Sequence, residues 1–342
     1  MSTIALSWTV ANRATLIAAG YDLQRIEYDS GSGFSAIITS DDLMPLVAHV
    51  ETYVYHHSGG DTSDDYQVVF VKSSDGTEYG TPQAITSKTA EGIIAVSDIR
   101  DEGYTEALYP ALTDAVVQNG IDLATRYIEK RTRQWFSPRY RKLRFDGPAA
   151  DRLQLQHPVI AVLKIEVEDS DQDLTEIAVY NRHLTQGLTD PDDRYNPMLW
   201  YDPEWYLTDE TGYERDIYGP ADFTWGGQNV EVYGIFGWTE LGLAEQAQEL
   251  AANSQVPASY GSAPEIIQWA CKRLTIAHMF PMDDPDGQSL STNRHVTQRK
   301  TRDQSITLDR PDAGVGYESF TADEAVDAIL AEFQQQIAFE VV

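Results

Sequence analysis

The chain has 342 residues, 42% of them hydrophobic, and a formal net charge of −29 from 54 acidic and 25 basic side chains. That apolar fraction supports packed cores over about two domains and excludes a wholly disordered chain. The acidic balance repels nucleic acid non-specifically, and no apolar run approaches the roughly 20 residues that span a bilayer. The imbalance comes largely from scarce lysine, 7 Lys against 18 Arg, which suits a salt-rich environment and equally an ordinary acidic protein. Met1–Trp8 has neither a basic n-region nor a cleavage site, so no signal peptide is expected. Cys271 is the single cysteine and lies in an apolar segment. It is expected to be a small buried core residue in a chain assembled in a reducing compartment.

Residues 1–92 read as an all-β domain. Short alternating runs (Ile4–Trp8, Tyr21–Ile26, Tyr66–Val71) are separated by turn clusters at Asp29–Gly33, Ser58–Asp61 and Ser73–Gly76, the pattern of a β-sandwich. Trp8, then Tyr66-x-Val68-x-Phe70 with Asp75-Gly76 and Tyr79, resembles a fibronectin type III or Ig-like domain. A linker is expected over about 84–97. It carries no strong apolar run, so the N-terminal domain is expected to be dispensable for the remainder.

A helix is expected over about 113–135, with Val117, Ile121, Ala124, Ile128 and Trp135 on one stripe. Gly120 costs it about 1 kcal/mol against alanine, and Pro138 marks its stop. A β-rich insertion follows over about 143–240. Its 165–222 segment holds 16 acidic residues against Arg182, Arg194 and Arg215, together with Trp200, Tyr201, Trp205 and Tyr206. Asn229–Phe236 alternates as a core strand does and ends at Gly237. Ser262-Ala-Pro264-Glu265 reads as a capping box opening a helix over 263–280, and Thr321-Ala-Asp-Glu324 as another opening 321–338. The polar stretch 281–319 lies between them. The fold class is α+β: an N-terminal β-sandwich plus a helical core carrying the β-rich insertion.

Two separated stretches carry a resemblance. Ser97-Asp-Ile-Arg100-Asp-Glu-Gly103 precedes a long helix ending Tyr127-Ile-Glu129-Lys-Arg131-Thr132-Arg133-Gln-Trp135-Phe136. Trp225-Gly-Gly-Gln228-Asn229 through Phe236-Gly237-Trp238 precedes the helix opening Ala263-Pro264-Glu265. In order and spacing they resemble the head–tail connector adaptor family of tailed phages and viruses, over residues 97–342. One departure is the absence of glycine from the turn at Arg131–Arg133. The resemblance implies a structural virion protein of the neck, not an enzyme, assembled in the host cytoplasm. Members form rings, commonly twelve-fold, that dock under the portal protein, extend the DNA channel and seat the head-completion stopper or tail. The 321–338 helix would then contact the portal through Val326, Ile329, Leu330, Phe333 and Ile337, the alternative being simple packing on its own subunit. An alternative reading, from the fibronectin-like domain and the aromatics, is a tail, baseplate or carbohydrate-binding accessory protein.

Arg126, Lys130, Arg131, Arg133, Arg139, Arg141, Lys142 and Arg144 form a basic band in 19 positions opposed only by Glu129. It is expected to meet a neighbouring acidic subunit or the dsDNA passing through the channel, the bland alternative being a solvated helix end. His56-His57 alternate across a strand and cannot readily share an ion. Asp283–Gly287 lacks the ligand spacing of a calcium loop. No phosphate loop, nucleophile elbow or dinucleotide fingerprint occurs, so no catalytic residue, cofactor, metal or membrane contact is expected.

Overall fold

The computed structural model describes residues 3–37, 43–48, 50–90, 92–150, 152–168, 174–177, 198–200, 223, 225–240, 260–279, 299–301, 304–306 and 323–334. Their class is α+β, as the patterning predicts. The chain divides into two compact units: Met1–Glu91 with Trp135–Pro264, and Gly92–Gln134 with Glu265–Val342.

The first unit opens with β1 (Thr3–Thr9), α1 (Arg13–Ala18), β2 (Leu23–Asp29), β3 (Ser35–Ala36), β4 (Met44–Pro45), β5 (Thr52–Ser58), β6 (Asp65–Val71), β7 (Gln83–Ile85) and β8 (Ser87–Ala90). Two antiparallel sheets result, β5-β1-β8 and β3-β2-β6-β7, with β4 on β2. Period-two alternation buries Ile4, Leu6 and Trp8 and leaves Ser7 partly open. Trp8 stacks on Tyr53 at 6.0 Å and donates its Nε1–H to Gln24 Oε1 at 2.9 Å, satisfying two buried polar groups at once. The expected linker at 84–97 is corrected: residues 83–90 form two strands, the second completing the sheet beside β1. Their polar composition belongs to edge strands, each paired on one side only.

The same unit continues with β9 (Arg139–Gly147), β10 (Arg152–Gln154), β11 (Val159–Glu168), β12 (Leu174–Ile177), β13 (Met198–Trp200) and β14 (Gly226–Phe236). The sheet β12-β11-β14-β9 is antiparallel throughout, and β10 pairs with β13. One set of its side chains (Phe145, Val162, Ile165, Val230, Val232, Phe236) forms a core with Leu153, Leu199 and Phe223. Another set, Tyr140, Leu163, Tyr233 and Ile235, shares a core with Ile4, Trp8, Tyr53 and Phe70. Dispensability of the N-terminal region is corrected by this shared core, because its removal would bare those four side chains and Tyr260.

The second unit contains α2 (Val96–Asp101), α3 (Asp114–Thr132), α4 (Glu265–Met279) and α5 (Glu324–Glu332), with the short pair β15 (Arg299–Thr301) and β16 (Gln304–Ile306). Thr113 caps α3 by accepting from Val116 N–H. The helix ends before Pro138, at Arg133, whose φ of 57° is left-handed, while the Thr132 hydroxyl donates to Ile128 O at 2.8 Å. That is the usual left-handed terminator with arginine in the position glycine favours. Gly120 has a packing reason. A Cβ there would lie 3.2 Å from Thr275 Cγ2 and 3.3 Å from Met279 Cγ, so α3 and α4 approach closely enough that a side chain at this position would crowd its neighbours. Thr125 faces Cys271 one turn farther along, so the two helices run in opposite directions. Cys271 is fully buried, and burial raises its thiol to about 12, leaving it an inert core residue.

Candidate functional site

The two stretches that carry the family resemblance have separate physical roles. In the first, Arg100 organises the connection between α2 and α3. Its guanidinium donates to Tyr104 O at 2.7 Å and Leu112 O at 2.8 Å, and pairs with Asp114 at 2.6 Å. Asp98 accepts from Ala95 N–H at 2.7 Å and fixes the start of α2. The 104–112 segment is thereby tied across its length to one side chain that is only 17% exposed.

The ends of both stretches meet inside the first unit. Trp238 N–H donates to Trp135 O at 2.6 Å and Gly237 N–H to Pro158 O at 2.9 Å, with Phe136 and Trp238 6.5 Å apart. A Cβ on Gly237 would stand 2.8 Å from Ser137 O, so only glycine lets these backbones pass. The Trp225–Asn229 segment is a bulge between β14 and β9 in which Gln228 is left-handed. Asp146 accepts from Gln228 N–H at 2.7 Å and Asn229 Oδ1 from Gly147 N–H at 2.8 Å. This braced bulge carries Trp225, which opens the second resembling stretch and is 81% exposed, a placement that a lone tryptophan without periodic signal does not reveal in sequence.

The eight residues of the basic band are divided between the two units: four lie on or just after α3 in the second unit and four on β9 in the first. Arg126, Lys130 and Arg133 are exposed and Arg131 is half-buried. On β9, Arg139 is buried and Arg141 half-buried, their guanidinium carbons 5.9 and 5.7 Å from the Trp135 ring centre. Trp135 stacks on His157 at 3.8 Å, where burial and the charge of Arg139 lower the imidazole to about 4. Lys142 and Arg144 converge on Glu231 of β14, whose side chain is 5% exposed, Lys142 at 2.9 Å. Burial opposes ionisation of Glu231. The hydrogen bonds from Lys142 and Tyr233 and the charges of Lys142 and Arg144 outweigh it and hold the carboxyl below its ordinary range. Lys142 and Arg144 are thus engaged within the sheet, a pairing invisible in sequence because Glu231 lies across the β9–β14 register.

The stripe assigned to the portal packs within its own unit, the alternative held for this helix. Val326, Leu330 and Phe333 are buried and Ile329 half-buried in the packing of α5 with α3 and α4, while Ile337 lies outside the described residues. The cap is Asp323 rather than Thr321, which also lies outside them. Asp323 Oδ1 accepts from Ala325 and Val326 N–H, and Oδ2 accepts from Arg273 of α4 at 2.6 Å. The carboxylate therefore caps one helix and fastens it to another. An amphipathic helix buries its stripe on the nearest matching surface, here its own unit.

Among the described residues no group of three metal-ligating side chains is gathered, and no helix is long and apolar enough to cross a membrane. His56 is buried and His57 half-buried, consistent with opposite strand faces. Trp205, Tyr206 and Asp283–Gly287 lie outside the described residues.

No family model and no curated protein matches the chain. Among solved structures, a chain from the neck of an empty GTA particle, computed with C6 symmetry, is similar over 54% of this chain and 77% of that one, at 16% identity and a TM-score of 0.34.

Proposed function

We propose that this chain is a structural, non-catalytic component of the neck of a tailed particle: an adaptor ring seated between the portal protein and the stopper or tail protein, around the channel that dsDNA traverses. The observation that carries the reading is the behaviour of the residues behind the family resemblance. Arg100, Trp135, Asn229, Gly237 and Trp238 each hold a backbone crossing or connection, as expected of a signature that specifies a scaffold. A catalytic signature instead converges reactive groups on a cleft. Twelve-fold symmetry is the family expectation. With the α5 stripe packed internally, portal contact falls to other surfaces or requires α5 to undock.

Averaged density of the particle neck tests the proposal. The expected result is this chain in a closed ring coaxial with the portal. Its location at the tail tip or fibres would overturn the reading and favour an accessory binding role.

A further inference from the structure

We propose that the outward row of α3 docks onto a second copy of this chain, meeting the acidic and apolar 101–114 segment of that copy's helical unit. The inference rests on the ring reading above and names the contact that would build the ring.

The row is defined by helical geometry. Val116, Leu123, Arg126 and Lys130 are exposed and fall within a sector of about 80° on a 3.6-residue helix, and the exposed Arg133 follows just past the helix end. The opposite side buries Val117, Ile121, Ala124 and Ile128. The row is apolar toward its N-terminal end and cationic toward its C-terminal end. In a chain of net charge −29, two exposed cations on the row and a third at the helix end, beside two exposed aliphatics, are a concentrated departure from the rest of the composition.

The complement lies at the other end of the same helix. Residues 101–114 expose Asp101, Glu102, Glu106 and Asp114, with Leu108 70% exposed and Tyr109 beside it. Glu102 already pairs with Lys272, and Arg100 engages Glu106 and Asp114, so these contacts shape the segment while Asp101 and the remaining carboxylate oxygens face outward. The Arg100 bonds to Tyr104 O and Leu112 O prepare it for docking at low entropic cost. The 19 residues of α3 span about 28 Å, so its cationic end and this segment cannot satisfy each other within one copy. Between copies they match in both charge and apolar content. Two different surfaces meeting head to tail are what generates a ring when the rotation closes. The charges steer and orient the encounter, and Val116, Leu123, Leu108 and Tyr109 supply burial.

Sedimentation velocity of the purified full-length chain across a concentration series tests the contact. Wild type is expected to self-associate at low salt and to dissociate near 1 M salt, where the screening length is about 3 Å. Arg126→Glu with Lys130→Glu should weaken association at least about tenfold with unchanged melting, and Asp101→Lys with Glu106→Lys should do the same. Mixing the two reversed variants should restore association, because the altered row of one meets the altered segment of the other. A wild type that stays monomeric throughout, reversed variants that associate like wild type, or a mixture that fails to recover would each overturn the proposal. So would loss of duplex-DNA binding by the Arg126/Lys130 variant with self-association intact, which assigns the row to DNA. Reversed variants occupying particle necks as wild type does would remove this contact and leave the neck reading standing. Absence of the wild-type chain from the neck would remove that reading alone.

Discussion

Replacing Arg100 with alanine isolates the role of the first signature stretch. Two of its hydrogen bonds go to main-chain carbonyls, Tyr104 O at 2.7 Å and Leu112 O at 2.8 Å. Charged donors give about 1.5–3 kcal/mol per bond, and rehydration of loop carbonyls reduces each to ~1 kcal/mol. The ion pair with Asp114, whose side chain is 76% exposed, adds at most about 1 kcal/mol, and Glu106 at 3.4 Å is discounted for its exposure. The expected loss is about 3 kcal/mol, confined to the helical unit. Hydrogen exchange should locate it: the amides of Leu108, Tyr109 and Leu112, bonded to Thr105 O and Tyr109 O, should exchange faster, while those of β9 and β14 should not change. Arg100→Lys should recover only about a third, because one ammonium cannot span two carbonyls and a carboxylate as a guanidinium fork does. A loss below about 1 kcal/mol, or unaltered exchange over 104–112, would refute the assignment of Arg100 as organiser of this connection.

Other substitutions address the remaining packing. Leu330→Ala should cost about 2–5 kcal/mol in denaturant unfolding of the helical unit, and Ile329→Ala under about 1 kcal/mol, since Leu330 is buried and Ile329 half-buried; equal small effects would mean that α5 is not docked in solution. Gly120→Val should destabilise despite valine's better helix propensity, because Thr275 and Met279 already stand 3.2 and 3.3 Å from the added Cβ. Overpacking of about 1–3 kcal/mol exceeds the propensity gain of under ~1 kcal/mol, and an unchanged midpoint would contradict the close crossing. His157 is lowered from 6.5 to about 4 in the folded chain, so between those values the unfolded chain binds the proton and the folded chain does not. Stability from this residue is complete above about 6.5 and falls as pH drops toward 4, by about 1–2 kcal/mol after allowing for partial exposure of the ring. His157→Phe should flatten that part of the profile; an unchanged slope would sink the assignment.

The sequence alone determined what short-range physics controls. Alternation of Ile4, Leu6 and Trp8 specified a half-buried strand, and the 3.6-residue recurrence of Val117, Ile121, Ala124 and Ile128 specified the buried side of α3, because each pattern is read within a few turns or residues, whereas Trp135, read on the same stripe, lies beyond the helix end. Pro138 misplaced the end of that helix, since the left-handed Arg133 had already ended it in a conformation that only the backbone reveals. Everything that depends on partners far along the chain was decided by tertiary structure. The basic band is contiguous in sequence, but Glu231 engages Lys142 and Arg144 from a strand about ninety residues away. That leaves Arg126, Lys130 and Arg133 as the exposed cations on the α3 side. Gly120 counts as a helix defect by propensity and as a close-packing position once α4 lies against it. The α5 stripe showed that an apolar surface must be covered but not by what, because amphipathicity sets the amount of area to bury while the cover is chosen by whichever surface lies within reach.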